Sequence, residues 1–178
     1  MKVIAVIGYK KSGKTTFICR IIQNLKGKRI FTFKHINEPE FEIDRKGTDT
    51  WKMFNSGAKL VVASSLSKLA IIARMNNTVN PLQMIRFLEN IMERPDIVLI
   101  EGFHRKIGKD KKVYKIILAR NLNDLKELYS MLSEPIIAII VNGISKSDAK
   151  KIIPSKPIFD ITELDKLVNF IEKLPENF

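Results

Sequence analysis

Gly8-Tyr9-Lys10-Lys11-Ser12-Gly13-Lys14-Thr15-Thr16 follows the apolar run Val3-Ile4-Ala5-Val6-Ile7 and leads into Phe17-Ile18-Cys19-Arg20-Ile21-Ile22. Strand, G-x-x-x-x-G-K-T loop and helix, in that order, are the full context of a phosphate-binding P-loop. A loop that wraps around phosphates turns successive backbone N–H groups inward, and its glycines accept angles and approaches that a Cβ would block. The helix behind it adds its unsatisfied amides and the positive end of its dipole. The motif therefore nominates Gly8, Lys11, Ser12, Gly13, Lys14, Thr15 and Thr16 as nucleotide-binding residues. Lys14 is expected to reach the β- and γ-phosphates, and Thr15 to offer its hydroxyl to Mg2+. A Gly- and Lys-rich surface turn is the plainer alternative, and the flanking strand and helix argue against it.

Apolar runs and helical stretches alternate along the rest of the chain, which predicts a mostly parallel sheet flanked by helices. Strands are expected at Lys2–Ile7, Arg29–Phe33, Leu60–Ala63, Leu69–Ala73, Ile97–Ile100, Val113–Ala119, Ile136–Val141 and Pro157–Asp160. Helices are expected at Lys14–Lys26, Thr48–Ser56, Pro81–Met92, Leu122–Met131, Lys146–Ile152 and Glu163–Leu174. Ser64-Ser65-Leu66-Ser67-Lys68 between two apolar runs reads as a hairpin, hence a small antiparallel excursion. The polar segment from Asn37 to Gly47 reads as a loop beyond a strand's carboxyl end, where α/β proteins bind ligands. The predicted fold class is thus α/β, of P-loop NTPase type, with residues 1–178 as a single nucleotide-binding domain.

A length of 178 residues with 45% hydrophobic composition suffices for a buried core. No apolar run approaches the length that crosses a bilayer, and the N-terminus runs straight into the first strand, unlike a signal peptide. Cys19 is the only cysteine, so no internal disulfide is possible; it is expected to be a small core residue, and a cytoplasmic location follows by elimination. The net charge of +12 is spread along the chain. Its densest stretch, Lys106-Ile107-Gly108-Lys109-Asp110-Lys111-Lys112, reads as a loop between two strands. Without an arginine-rich helix or an aromatic RNA-binding signature, attraction of phosphate-rich small molecules or acidic proteins, or plain solvation of the surface, is preferred to nucleic-acid binding. One Cys and two His give no zinc-ligand pattern.

A second acid is needed beside a P-loop, because Mg2+ takes hard oxygen ligands and keeps several waters. Asp96-Ile97-Val98-Leu99-Ile100-Glu101-Gly102-Phe103 supplies one at a strand end. Glu101 is the expected metal partner of Thr15, directly or through water, and Gly102 would turn its amide toward the γ-phosphate.

With these residues in view, the chain resembles the MobB family of molybdopterin-guanine dinucleotide biosynthesis adaptor proteins. The resemblance is carried by Phe33-Lys34-His35, Asp44-Arg45-Lys46-Gly47-Thr48-Asp49-Thr50, Gly57-Ala58 and Leu99-Ile100-Glu101-Gly102-Phe103. Lys115-Ile116-Ile117-Leu118-Ala119-Arg120 and Phe159-Asp160-Ile161 extend it over nearly the whole chain. Two departures stand out. Ile36-Asn37-Glu38-Pro39-Glu40 lacks the further histidines that many members carry, and Val141-Asn142-Gly143 stands where they have Ser-Asp. The resemblance implies a homodimer that binds GTP with Mg2+, serves the molybdenum cofactor guanylyltransferase, and delivers or positions nucleotide or molybdopterin. It is compatible with slow GTP hydrolysis, although no general base stands out. Residues 60–73 are a candidate dimer contact.

Five further residues are candidates for substrate or phosphate contacts. Lys34 is a candidate phosphate contact, and His35 either hydrogen-bonds a ligand or serves the strand end. Asp49 either positions substrate or Mg2+, or is an acid at a helix N-terminus. Arg120 either stabilises charge on a phosphoryl group or pairs with a surface carboxylate. Asn142 begins like the Asn-Lys-x-Asp guanine motif, but Gly143 and Ser145 replace its Lys and Asp, so the preference for GTP over ATP rests on the resemblance. Trp51 and Phe54 are expected to pack in the core or a dimer interface. A small-molecule kinase and a nucleotide-regulated nucleic-acid-binding module are the alternative functions; Arg74, Arg86, Arg94 and Arg105 form no clustered lid signature.

Overall fold

The computed structural model describes residues 1–38, 41–77 and 79–178. Two compact units emerge, Met1–His35 with Pro81–Phe178, and Ile36–Asn80. In the larger unit, β1 (Lys2–Ile7), α1 (Lys14–Asn24) and β2 (Ile30–Lys34) come first. The smaller unit holds α2 (Asp49–Asn55), β3 (Leu60–Ser64) and β4 (Leu69–Ala73). The larger unit resumes with α3 (Pro81–Leu88), β5 (Ile97–Glu101), α4 (His104–Ile107), β6 (Tyr114–Ala119) and α5 (Leu122–Met131). It closes with β7 (Ile136–Val141), α6 (Lys146–Ile152), β8 (Ile158–Asp160) and α7 (Leu164–Lys173).

Six strands form one sheet in the order β2-β5-β1-β6-β7-β8, every neighbouring pair parallel. The central strands are apolar at nearly every position because helices cover both faces. Alternation then divides each strand between two cores. Val3, Ala5 and Ile7 of β1 join Val98 and Ile100 beneath Ile85, Ile107, Leu125 and Leu128 of α3, α4 and α5. Ile4 and Val6 join Ile97 and Leu99 on the opposite face, beneath Phe17, Ile18 and Ile21 of α1 and Leu167 and Ile171 of α7. The stripe Leu164, Leu167, Val168, Ile171 follows helical spacing and places one side of α7 on the sheet. Asn121 and Ser145 cap α5 and α6 by accepting the backbone N–H groups of Asp124 and Asp148.

In the smaller unit, β3 and β4 pair antiparallel with Val62 opposite Ile71, the expected hairpin. Pro39 and Glu40, part of the predicted loop, lie outside the described residues. No helix among the described residues is long and apolar enough to cross a membrane.

Two expectations are corrected. Cys19 is exposed, because Phe17, Ile18 and Ile21 define the buried side of α1 and Cys19 falls on the other. The lysine-rich stretch is not wholly a loop: Lys106 and Ile107 end the short helix α4, whose Ile107 is fully buried and anchors the turn that follows.

Candidate functional site

Because every strand of the main sheet runs the same way, the ends of β1, β2, β5, β6 and β7 share one edge. In open α/β sheets that carboxyl edge is where ligands bind. Here it carries the P-loop, Lys34, Glu101, Arg120 and Asn142.

The P-loop is held close against the sheet. A Cβ on Gly8 would stand 2.5 Å from the Leu118 carbonyl oxygen and 2.9 Å from Ser12 Oγ, so only glycine fits. Ser12 is buried, its N–H donates to the Tyr9 carbonyl at 3.2 Å, and its own carbonyl accepts from Asn142 Nδ2 at 3.3 Å. Asn142 thus braces the loop from the end of β7. Lys11 takes a left-handed backbone conformation at φ 63°, and Gly13 another at φ 91° as it opens α1. No side chain caps α1 among the described residues, so its first amides remain open to an anion. Thr16 lies exposed in that turn.

The Lys14 ammonium folds back onto the loop, donating to the Tyr9 carbonyl at 2.6 Å and Ser12 Oγ at 3.4 Å. Desolvation lowers its pKa, opposed by the Glu101 carboxylate, with Lys34 and Arg120 lowering it further. A desolvated ammonium among other cations favours an arriving polyanion.

Glu101 and Thr15 meet beside it. The Thr15 hydroxyl lies 2.9 Å from both Glu101 carboxylate oxygens. These are two hard oxygens from separate elements. Among the described residues no group of three or more His, Cys, Asp or Glu could hold a metal. Any ion here must complete its shell with phosphate and water, as Mg2+ does, so the donor set fits that ion. Gly102 follows at φ +82°, and an added Cβ would stand 2.9 Å from the His35 Cβ. His35 N–H donates to the Glu101 carbonyl at 2.9 Å, and its ring lies 5.0 Å from that of Phe103. His35 therefore continues the β2–β5 pairing by one residue beyond the strands.

Arg120 bonds Asp124 across one turn, Nε to Oδ2 at 3.1 Å. Asp49 belongs to the smaller unit, in the first turn of α2, where it pairs with Lys52 at 3.4 Å. That unit has a cleft of about 920 Å³ of its own, walled by Phe41, Trp51, Phe54 and Ile71. Arg74 stacks over Phe54 at 4.2 Å, and Trp51 is half-buried. Sequence reasoning missed His104, the first residue of α4. Its pKa is lowered by desolvation, then by the charges of Arg105, His35 and Lys14. The sequence held one signal for it, a histidine directly after Glu101-Gly102-Phe103.

Residues 3–155 match the family described as molybdopterin guanine dinucleotide synthesis protein B (MobB). The chain is 39% identical over 121 residues to a Methanocaldococcus jannaschii protein provisionally named a molybdopterin-guanine dinucleotide biosynthesis adapter protein. That match covers 68% of this chain and 48% of the relative, so the chain spans about half of that protein's length. A Haemophilus influenzae protein named a molybdopterin-guanine dinucleotide biosynthesis adapter protein is 26% identical, over 98% of this chain and 90% of its own. Among solved structures, MobB of Bacillus subtilis superposes with a TM-score of 0.71 at 23% identity, covering 97% of this chain and 96% of that one. At that identity the likeness speaks for the fold alone.

Proposed function

Because the chain belongs to the molybdopterin guanine dinucleotide synthesis protein B family, we propose that it is a GTP-binding adapter in the synthesis of that cofactor. Its partner in this reading is the guanylyltransferase that joins GMP to molybdopterin, and its place of work is the cytoplasm. The observation that carries the reading is the meeting of Thr15 and Glu101 beside Lys14 at the sheet's carboxyl edge.

The residues divide the work by their chemistry. The open amides of α1 and the backbone of Lys11–Gly13 receive phosphate oxygens, and Lys14 exchanges the Tyr9 carbonyl for the β- and γ-phosphates. Thr15 and Glu101 hold Mg2+, which supplies charge neutralisation to the triphosphate. The Gly102 amide, and Lys34, His35 and Arg120 at other strand ends of the same edge, offer further contacts to the terminal phosphate. Asn142 acts through the loop it braces. Adapter work asks for binding and positioning rather than fast chemistry, and slow hydrolysis is compatible with a site of this kind.

The same reading includes a homodimer. Leu60, Val62, Leu69 and Ile71 are exposed large apolar residues that share one face of the hairpin, with Val62 paired to Ile71. A two-stranded hairpin gains stability by covering such a face. A second copy of this chain is the occupant proposed.

Competition binding tests the nucleotide part. With Mg2+ present, GTP is expected to displace a fluorescent GTP analogue at lower concentration than ATP does. Co-sedimentation with the guanylyltransferase of the same organism tests the partner. Binding of ATP alone, or no association with the transferase, would contradict the corresponding half.

A further inference from the structure

Lys34 stands where a P-loop account needs no lysine. The register of β2 on β5 places it opposite Glu101. Alternation along both strands sends the two side chains to the α1 face, since Ile30 and Leu99 belong to the core on that side while Phe31, Phe33 and Ile100 belong to the other. There the Lys34 ammonium donates to Thr15 Oγ1 at 3.0 Å and lies 3.4 Å from Glu101 Oε1. Thr15 and Glu101 are also the oxygens that fit Mg2+. One tethered positive charge therefore rests on both protein ligands of the proposed metal.

An ordinary surface ion pair would involve one carboxylate and contribute little. Here the carboxylate is mostly buried, with 13% side-chain exposure, and the ammonium bridges it to a hydroxyl on a third element. The cluster has the composition of a cation site, with the amine as the cation.

We infer that the Lys34 ammonium competes with the divalent ion for Thr15 and Glu101. When no metal is supplied it holds the two ligands together and stands in for the missing charge; when Mg2+ arrives with the triphosphate it withdraws toward the phosphates. The inference rests on the nucleotide-binding reading above. It adds that this chain admits the metal poorly without nucleotide and tolerates nucleotide without metal.

The test uses the full chain as wild type, Lys34→Gln and Arg120→Gln. The last removes an equal charge from the same electrostatic neighbourhood, but its guanidinium is bonded to Asp124 instead. Mn2+ binding without nucleotide is followed by electron paramagnetic resonance. GTP binding is followed by calorimetry, once with Mg2+ and once with a chelator. Lys34→Gln is expected to bind Mn2+ about 10-fold or more tighter than wild type, with a much smaller gain for Arg120→Gln. In chelator, Lys34→Gln is expected to lose more GTP affinity than wild type does. Unchanged Mn2+ affinity in Lys34→Gln, or equal gains in both variants, would overturn the inference while leaving nucleotide binding intact. Failure of all three proteins to bind GTP with Mg2+ would remove the nucleotide reading and this inference together.

Discussion

Lys14 spends its hydrogen bonds on the loop's own carbonyl, at 2.6 Å, in surroundings that lower its pKa. Truncation to alanine removes an interaction with a triphosphate that is both charged and desolvated. Lys14→Ala should therefore lose about 100-fold or more in GTP affinity, as charge-assisted bonds of this kind do. Its thermal midpoint should fall only slightly, because the bonds lost run to Tyr9 and Ser12 of the same loop. Gly102→Ala tests the other lip of the site. Its φ of +82° is strained for alanine, and the new Cβ would press on His35 at 2.9 Å. A loss of about 1–3 kcal/mol in urea unfolding is expected, with weaker nucleotide binding as the Gly102 amide shifts; wild-type stability would contradict this. Lys14, Thr15 and Glu101 could be found from sequence because the first two sit in one short motif and the third ends an apolar strand. The bracing role of Asn142 could not, since its partner Ser12 is 130 residues away and local pattern carries no such distance. His104 escaped for a different reason: it opens α4, a helix of one turn that gives no sequence period.

Helix α1 delivers Lys14 and Thr15 to the edge because its other side is fixed to the sheet. Ile21 is fully buried there. Ile21→Ala should cost about 2–5 kcal/mol by chemical denaturation, and a value near zero would mean that α1 is not anchored as described. At the edge strand β8, Glu163 precedes α7 and joins it to that strand. Its carboxylate accepts from Lys146, from Lys166 and from the Asp160 backbone N–H, causes that together lower its pKa from the ordinary 4.5 to about 2. A depressed carboxylate stabilises the fold above its unfolded pKa, and that contribution is lost as pH falls through 4.5 toward 2. Calorimetry of Glu163→Gln should show a lower midpoint than wild type at neutral pH, with the gap closing as pH falls toward 2; a gap independent of pH would contradict the assignment. Long periodic elements were readable from sequence, and β1, β4, α5, β7 and α6 fall at their expected residues. Helix α4 was not, because one turn of four residues offers no period to detect and its Lys106 opens a lysine-rich stretch that resembles a loop. Cys19 was misplaced for lack of phase: the sequence shows that α1 is amphipathic, while the direction of its buried side depends on the sheet.

On the scale of the molecule, each unit carries one feature of note, the cationic carboxyl edge of the larger and the exposed apolar hairpin face of the smaller. The hairpin is expected to join two copies, so sedimentation of the wild type should give twice the mass of the chain. Val62→Asp combined with Ile71→Asp, which sets two charges opposite each other on that face, should give a single chain that still binds nucleotide. A wild type that sediments as one chain would contradict the proposed interface and leave the P-loop untouched. The central claim is that the turn after β1, with Lys14, Thr15 and Glu101, grips a triphosphate through Mg2+. Calorimetric titration of GTP with Mg2+ into wild type and Lys14→Ala tests it most directly. The expected result is one GTP per chain in the wild type and a collapse of affinity in the variant. Equal affinity in both proteins, or no purine triphosphate binding to the wild type, would contradict it.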